Sequence, residues 1–292
     1  MKELCSGVYA AAAVPFDENL QIHIDELAWH CGDMIERGCT GVVLFGTTGE
    51  GPSFSALEKI KALEGLVSKG LNPAKMILAN GSSGILDTVQ LCKAVIEQGC
   101  AAMLISPPSY FKNVQEEGTI AYYRDIIRRV SHPDLRILLY HYPKLSGVPI
   151  TKGIIAALRQ EFPEVVIGLK ESDGDLALTR SVLEQFRGFK VFVGKELQIA
   201  EAVRLGGAGS ICGLANLYPE LISSFYKSPN PSHIEKLEKI SQAFRKVPFI
   251  AAVKAVLQRQ RGEIWKAMAP PLVPLSATER EVLHQLANYR SF

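Results

Sequence analysis

The 292-residue chain has no C-x-x-C pair and no low-complexity or polar tract. It also lacks an apolar run of the roughly eighteen residues that a membrane span requires. The missing polar tract argues against disorder, and 47% hydrophobic with 21% charged residues is the composition of a globular protein. Neither sign of charge dominates: 32 Lys and Arg stand against 30 Asp and Glu, interspersed, for a net charge of +2. No electrostatic footprint for nucleic acid or an anionic membrane surface results. The six cysteines, Cys5, Cys31, Cys39, Cys92, Cys100 and Cys212, sit for the most part in apolar stretches. They read as reduced, buried thiols of a cytoplasmic protein. The six histidines show no H-x-x-x-H spacing, so no metal is expected.

What the chain does contain is an alternation of short apolar runs and amphipathic helical patterns. Gly41-Val-Val-Leu-Phe45, Lys75-Met-Ile-Leu-Ala79, Ala101-Ala-Met-Leu-Ile105, Arg136-Ile-Leu-Leu-Tyr140, Val165-Val-Ile-Gly-Leu169 and Lys190-Val-Phe-Val193 read as strands covered on both faces. The stretch from Val8 to Val14 fits a first strand better than a signal peptide. Between strands, Leu27, Cys31, Met34 and Ile35 share one helical face, and Thr88, Leu91, Cys92, Val95 and Ile96 share another. Ser55-x-x-Glu58 is a capping box, Asp87 and Thr151 are candidate N-caps, and Gly38 and Gly99 close helices before a strand. Repeated βα units predict a parallel sheet. Periodicity alone leaves an open doubly wound sheet beside a closed (β/α)8 barrel. The expected division is a barrel over residues 1–228 and a helical extension over 229–292, with helices over 236–246, 248–261 and 276–289.

In such a fold, chemistry gathers where strands end. One run leads into Gly46-Thr-Thr-Gly-Glu-Gly51, another ends on Tyr140, and a third runs into Lys170. A lysine in water is almost wholly protonated at neutral pH. Withdrawn from water, a lysine amine becomes a nucleophile for a carbonyl. The alternative is a simple ion pair with Glu171. Tyr140 is either a core tyrosine or a proton carrier beside that amine. The glycine-rich loop fails as a P-loop, since Pro52 and Ser53 stand where Lys and Ser or Thr are required. Its hydroxyls and amides suit a carboxylate instead. Gly206-Gly-Ala-Gly-Ser210 precedes a strand, unlike a dinucleotide fingerprint. Cys212 in an apolar strand reads as an inert thiol.

Phe45-Gly-Thr-Thr-Gly-Glu50, Tyr140-His-Tyr-Pro143 and Gly168-Leu-Lys-Glu171, in this order, resemble the dihydrodipicolinate synthase and N-acetylneuraminate lyase family of class I aldolases. Val14-Pro-Phe16, Gly206 to Asn216 and Ala269-Pro-Pro-Leu-Val-Pro-Leu275 extend the likeness over nearly the whole chain. The resemblance implies a (β/α)8 TIM barrel and a lyase without cofactor or metal. Its substrates would be pyruvate, or another 2-oxo acid, and an aldehyde. Lys170 would form the Schiff base, Tyr140 would move protons, and Thr47 would relay them. Thr48, Gly46 and Gly49 would hold the carboxylate, with Ser172, Gly194, Glu196 and Ile211 completing the substrate-binding set. Tyr110 is the candidate for the family tyrosine that completes a relay across a subunit interface, in a homodimer or homotetramer.

Departures bear on the substrate. Leu145 stands where the synthases have a carboxylate-binding arginine, with Lys144 beside it. Thr47-Thr48 is synthase-like, His141 replaces an asparagine, and Gly194-Lys195-Glu196 only partly matches the sugar-binding pattern of the sialate lyases. The expected activity is therefore synthase-like condensation or release of pyruvate. An N-acetylneuraminate lyase-like reaction, or a 2-keto-3-deoxy sugar acid aldolase or dehydratase reaction, is the alternative. A non-catalytic 2-oxo acid binding protein is the more distant one.

Overall fold

Each apolar run is short enough for a strand and apolar at consecutive positions, so both faces must be covered. The structure, a computed structural model, describes residues 4–286 and meets that demand with a closed barrel. Its strands are β1 (Gly7–Ala11), β2 (Gly41–Leu44), β3 (Met76–Ala79), β4 (Ala102–Ile105), β5 (Ile137–His141), β6 (Val166–Glu171), β7 (Lys190–Val193) and β8 (Gly209–Cys212). Each pairs in parallel with the next, and β8 returns to β1 through Gly7 to Gly209 and Ala10 to Cys212. That last register decides between the two architectures left open by periodicity: the sheet closes.

Alternation along each strand splits the apolar residues into two sets. Tyr9, Val43, Ile77, Leu104, Leu138 and Phe192 turn inward and fill the barrel, with Tyr9 and Phe192 meeting edge to face at 5.6 Å. Val42, Leu44, Met76, Leu78, Met103 and Leu139 turn outward against the helices. The helices are α1 (Ile24–Glu36), α2 (Ala56–Ser68), α3 (Ile85–Glu97), α4 (Glu116–Val130), a short α5 (Pro143–Ser146), α6 (Lys152–Glu161), α7 (Leu176–Gln185), α8 (Ile199–Arg204) and α9 (Pro219–Lys227). Then follow α10 (Pro231–Phe244), α11 (Phe249–Arg261) and α12 (Ala277–Leu286).

Local signals hold with some corrections. Ser55 and Glu58 form the reciprocal capping box, and Thr151 caps α6 by accepting from the Ile154 amide. Gly38 and Gly99 take φ of 107° and 73° after the last turns of α1 and α3, a region that favours glycine. Asp87 is not a cap: Gly84 holds that position and Asp87 lies in the first turn, where the helix dipole also favours a carboxylate. The first strand stops at Ala11 instead of Val14, although Ala12 to Val14 are buried. There the Asn216 side chain takes over, donating to the Ala11 carbonyl and accepting from the Ala13 amide, both at 2.8 Å. Helix α10 begins at Pro231, ahead of the expected 236, because Asn230 caps it through the His233 amide. The expected continuation of the last helix to Tyr289 lies outside the described residues. Cys5 is exposed and Cys100 partly so, unlike the other four buried thiols. Among the described residues no helix is long and apolar enough to cross a membrane.

Candidate active site

Tyr140 and Lys170 are register partners across β5 and β6. Residues paired in this way project to the same face of the sheet. Here both point into the mouth of the barrel. Lys170 lies inside β6, which runs on to Glu171, and not just beyond it as the apolar run implied. It is 4% exposed, and its ammonium stands 4.5 Å from the centroid of the Tyr140 ring. The negative face of a phenol ring accommodates that cation. Glu171, one residue on, faces away and accepts from the amides of Asp173 at 2.6 Å and Gly174 at 2.9 Å. Burial pushes its carboxyl above the ordinary value while those amides pull it back. The simple Lys170–Glu171 ion pair is therefore not formed.

Thr47 closes on this pair from the end of β2, its hydroxyl 3.2 Å from that of Tyr140. The loop that carries it is tightly wound. Phe45 and Glu50 take left-handed φ of 55° and 53°, and the amides of Gly49 and Gly51 donate to the Gly46 carbonyl at 3.1 Å. A Cβ on Gly51 would sit 1.7 Å from the Phe45 carbonyl oxygen, so only glycine permits this turn. The Gly49 amide thus bonds within the loop, to the Gly46 carbonyl. Among the described residues the Thr47 and Thr48 amides make no such bond.

The loop is fastened from behind by a residue that sequence reasoning passed over. Glu50 is buried and pairs with Lys254 of α11 at 2.6 Å, while its second oxygen accepts from the Ala269 amide at 2.9 Å. Lys254 also donates to the Ala267 carbonyl at 2.7 Å and lies 3.7 Å from the Phe16 ring centroid. A lysine amid Ala251, Ala252, Val253, Val256 and Leu257, all buried on α11, was the available signal. A second buried lysine, Lys59, donates to the Asn80 carbonyl at 2.6 Å, and burial pushes its pKa down to about 8.

A cavity of about 360 Å³ opens above the pair, with Gly46, Thr47, Asn80, Tyr140, Tyr142 and Leu145 among its walls. Lys170 and Thr48 are not wall residues; Lys170 adjoins the cavity through the Tyr140 ring, 4.5 Å from its centroid. The remaining expected residues are placed elsewhere. Ser172 and Gly194 pack on each other, since a Cβ on Gly194 would lie 2.5 Å from the Ser172 hydroxyl. Glu196 accepts from the Leu214 amide at 3.1 Å, with its carboxyl pushed up by burial. Ile211 is part of the barrel filling. Tyr110 is 84% exposed with its ring 5.4 Å from that of Phe111, and among the described residues it has no contact with Tyr140. Lys144 is turned to Asp173, 3.1 Å from its carbonyl. His141 faces away from the cavity, its Nδ1 3.0 Å from the Ile150 amide. Among the described residues no three His, Cys, Asp or Glu side chains gather as a metal-binding group.

The sequence pattern of the Dihydrodipicolinate synthetase family matches residues 4–289. The chain belongs to that family. It is 30% identical over 279 residues to an uncharacterised DapA-like lyase of Chloroflexus aurantiacus, covering 94% of this chain and 93% of that one. It is 31% identical over 282 residues to a 4-hydroxy-tetrahydrodipicolinate synthase of an Exiguobacterium species, covering 94% of each. The crystal structure of dihydrodipicolinate synthase from Agrobacterium tumefaciens superimposes with a TM-score of 0.91 at 28% identity, over 98% of this chain and 99% of that one. As a member of this family the chain is a lyase.

Proposed function

We propose that the protein is a Schiff-base-forming aldolase that joins pyruvate to an aldehyde, or releases it from the adduct. The observation that carries this reading is the buried Lys170 amine held beside Tyr140, with Thr47 hydrogen-bonded to the same phenol. The neutral Lys170 amine adds to the C2 carbonyl of pyruvate, and water leaves to give an iminium ion. Loss of a methyl proton then yields an enamine. Its terminal carbon attacks the aldehyde carbon, a carbon–carbon bond forms, and the new alkoxide takes up a proton. Water hydrolyses the resulting iminium, which frees the lysine and a 4-hydroxy-2-oxo acid. Tyr140 stands where these protons pass, and Thr47 connects it to the glycine-rich loop. The amides of Thr47 and Thr48 hold the 2-oxo acid carboxylate.

The wall at Leu145 has no guanidinium to grip a second carboxylate, and the nearby Lys144 is turned to Asp173. This favours an aldolase with another aldehyde over the synthase reaction itself. The exposed Tyr110 and Phe111 fit a role against a second copy in a dimer or tetramer, where Tyr110 reaches a neighbouring site. The free thiols suit the cytoplasm.

Exchange of the pyruvate methyl protons in D2O tests the reading without knowledge of the aldehyde, because the enamine exchanges them. The wild type is expected to exchange them and Lys170→Ala is not. Equal exchange by the two proteins would refute it.

A further inference from the structure

The walls of the cavity allow the second substrate to be described more closely, an inference that rests on the reading just given. Among the described residues no Lys, Arg or His side chain lines the cavity. Its one acid, Glu50, is already matched by Lys254 and the Ala269 amide. Besides Lys170, the cations that come near are engaged: Lys59 donates to the Asn80 carbonyl at 2.6 Å and Lys254 pairs with Glu50. Lys144 is turned to Asp173, and Lys112 donates to the carbonyls of Ser109 and Ser146.

Of the wall's polar side chains, Asn80, Ser106 and Ser146 are used up, whereas the Ser53 and Ser109 hydroxyls have no hydrogen bond among the described residues. Asn80 accepts from the Gly81 and Ser106 amides and donates to the Ser82 carbonyl at 2.8 Å. Ser146 donates to the Val148 carbonyl at 2.9 Å. Among the described residues, the Tyr142 hydroxyl has no hydrogen bond; it lies on the wall next to Leu145, its ring tilted against Tyr140 at 6.2 Å. Burial above all, then the neighbouring Tyr140, raises the affinity of the Tyr142 phenol for its proton, so it serves as a donor. The outer wall beside it is apolar: Leu145 at 57% exposure, with Ile250, Pro271 and Leu272 from the C-terminal extension. A carboxylate moved from water onto such a wall would lose its hydration and gain no cation. An apolar group would displace water from surface that water solvates poorly.

We propose that the aldehyde partner is uncharged and largely apolar, its far end packed on Leu145, Ile250 and Leu272 and its one polar group met by Tyr142. The C-terminal extension is thus part of the specificity surface. Ile250 at the start of α11 and Pro271 and Leu272 in the segment between α11 and α12 present the side that selects the aldehyde, while the barrel supplies the chemistry.

The test pairs aldehydes that differ by a carboxylate: benzaldehyde with 4-carboxybenzaldehyde, and butanal with succinic semialdehyde, each reacted with pyruvate. The expected kcat/KM is about tenfold or more higher for the uncharged member of each pair. Leu145→Arg is expected to narrow or reverse that ratio. Preference for the carboxylated members, equal rates, or consumption of no aldehyde would overturn the proposal, and so would faster reaction of glyceraldehyde than of butanal. If Lys112→Met abolished a preference for carboxylates, Lys112 would be the cation and the proposal would fail. Pyruvate methyl exchange, run beside these assays, separates the two ideas. Its absence removes the Schiff-base reading, whereas exchange with the wrong aldehyde preference removes only this inference.

Discussion

Lys254 meets Glu50 at 2.6 Å across 204 residues of sequence, with both side chains withdrawn from water. The pair ties α11 to the glycine-rich loop that carries Thr47, so the C-terminal extension fixes part of the site. A buried pair that loses one member leaves the other charge without compensation, at a cost of about 3–5 kcal/mol. Lys254→Met is therefore expected to lower the urea midpoint by a corresponding amount. Lys254→Met combined with Glu50→Gln should cost less than the sum of the two single changes, since no charge is then left stranded. A loss below about 1 kcal/mol in Lys254→Met, as for an exposed pair, would contradict this account.

His30 gives the protein an acid-sensitive joint. It is buried in α1, its Nδ1 2.8 Å from an Arg261 guanidinium nitrogen and its Nε2 2.9 Å from Asn216 Oδ1. Arginine only donates, so Nδ1 accepts and Nε2–H donates to Asn216. Burial first, and Arg261 next, hold the imidazole down at about 3 against an ordinary 6.5. A depressed pKa means stability that is complete above pH 6.5 and is lost as pH falls toward 3. The limit is about 4–5 kcal/mol. His30→Gln should show a shallower loss of unfolding free energy between neutral pH and pH about 4. Parallel curves for the two proteins would count against the joint.

Tyr140 and Thr47 touch through their hydroxyls at 3.2 Å, which predicts a kinetic effect more than a structural one. Tyr140→Phe keeps the ring that faces Lys170 and removes the hydroxyl proposed to carry protons, so kcat should fall by about 10²–10⁴. Thr47→Val should have a smaller effect in the same direction. Neither should change the thermal midpoint by more than a few degrees. A Tyr140→Phe protein that changed only KM would assign the phenol to binding alone.

The parallel strands were legible in the sequence because strands buried on both faces must be continuously apolar, as the runs around Val42, Leu78, Met103 and Leu138 are. Closure was not legible, since it depends on Gly7 and Gly209 becoming neighbours, a relation between chain ends that local periodicity does not encode. The same limit applies to strand ends. Ala12 to Val14 are as buried as Tyr9, but after the Ala12 amide's bond to the Val43 carbonyl the Asn216 side chain, from 203 residues away, takes the Ala13 amide. Within the site, Lys170 and Tyr140 announced themselves as polar residues closing apolar runs. Glu50 gave no comparable signal, because its meaning lies in Lys254. Tyr110 gave a signal only through its family motif, and its exposed ring lies beside that of Phe111.

The central claim is that Lys170 carries the chemistry. Borohydride reduction in the presence of pyruvate, followed by peptide mass mapping, tests it most directly. The account predicts one stable adduct on the peptide that contains Lys170, with none in Lys170→Ala. An adduct on Lys59, Lys254 or a surface lysine, or an unmodified Lys170 in folded protein, would contradict it.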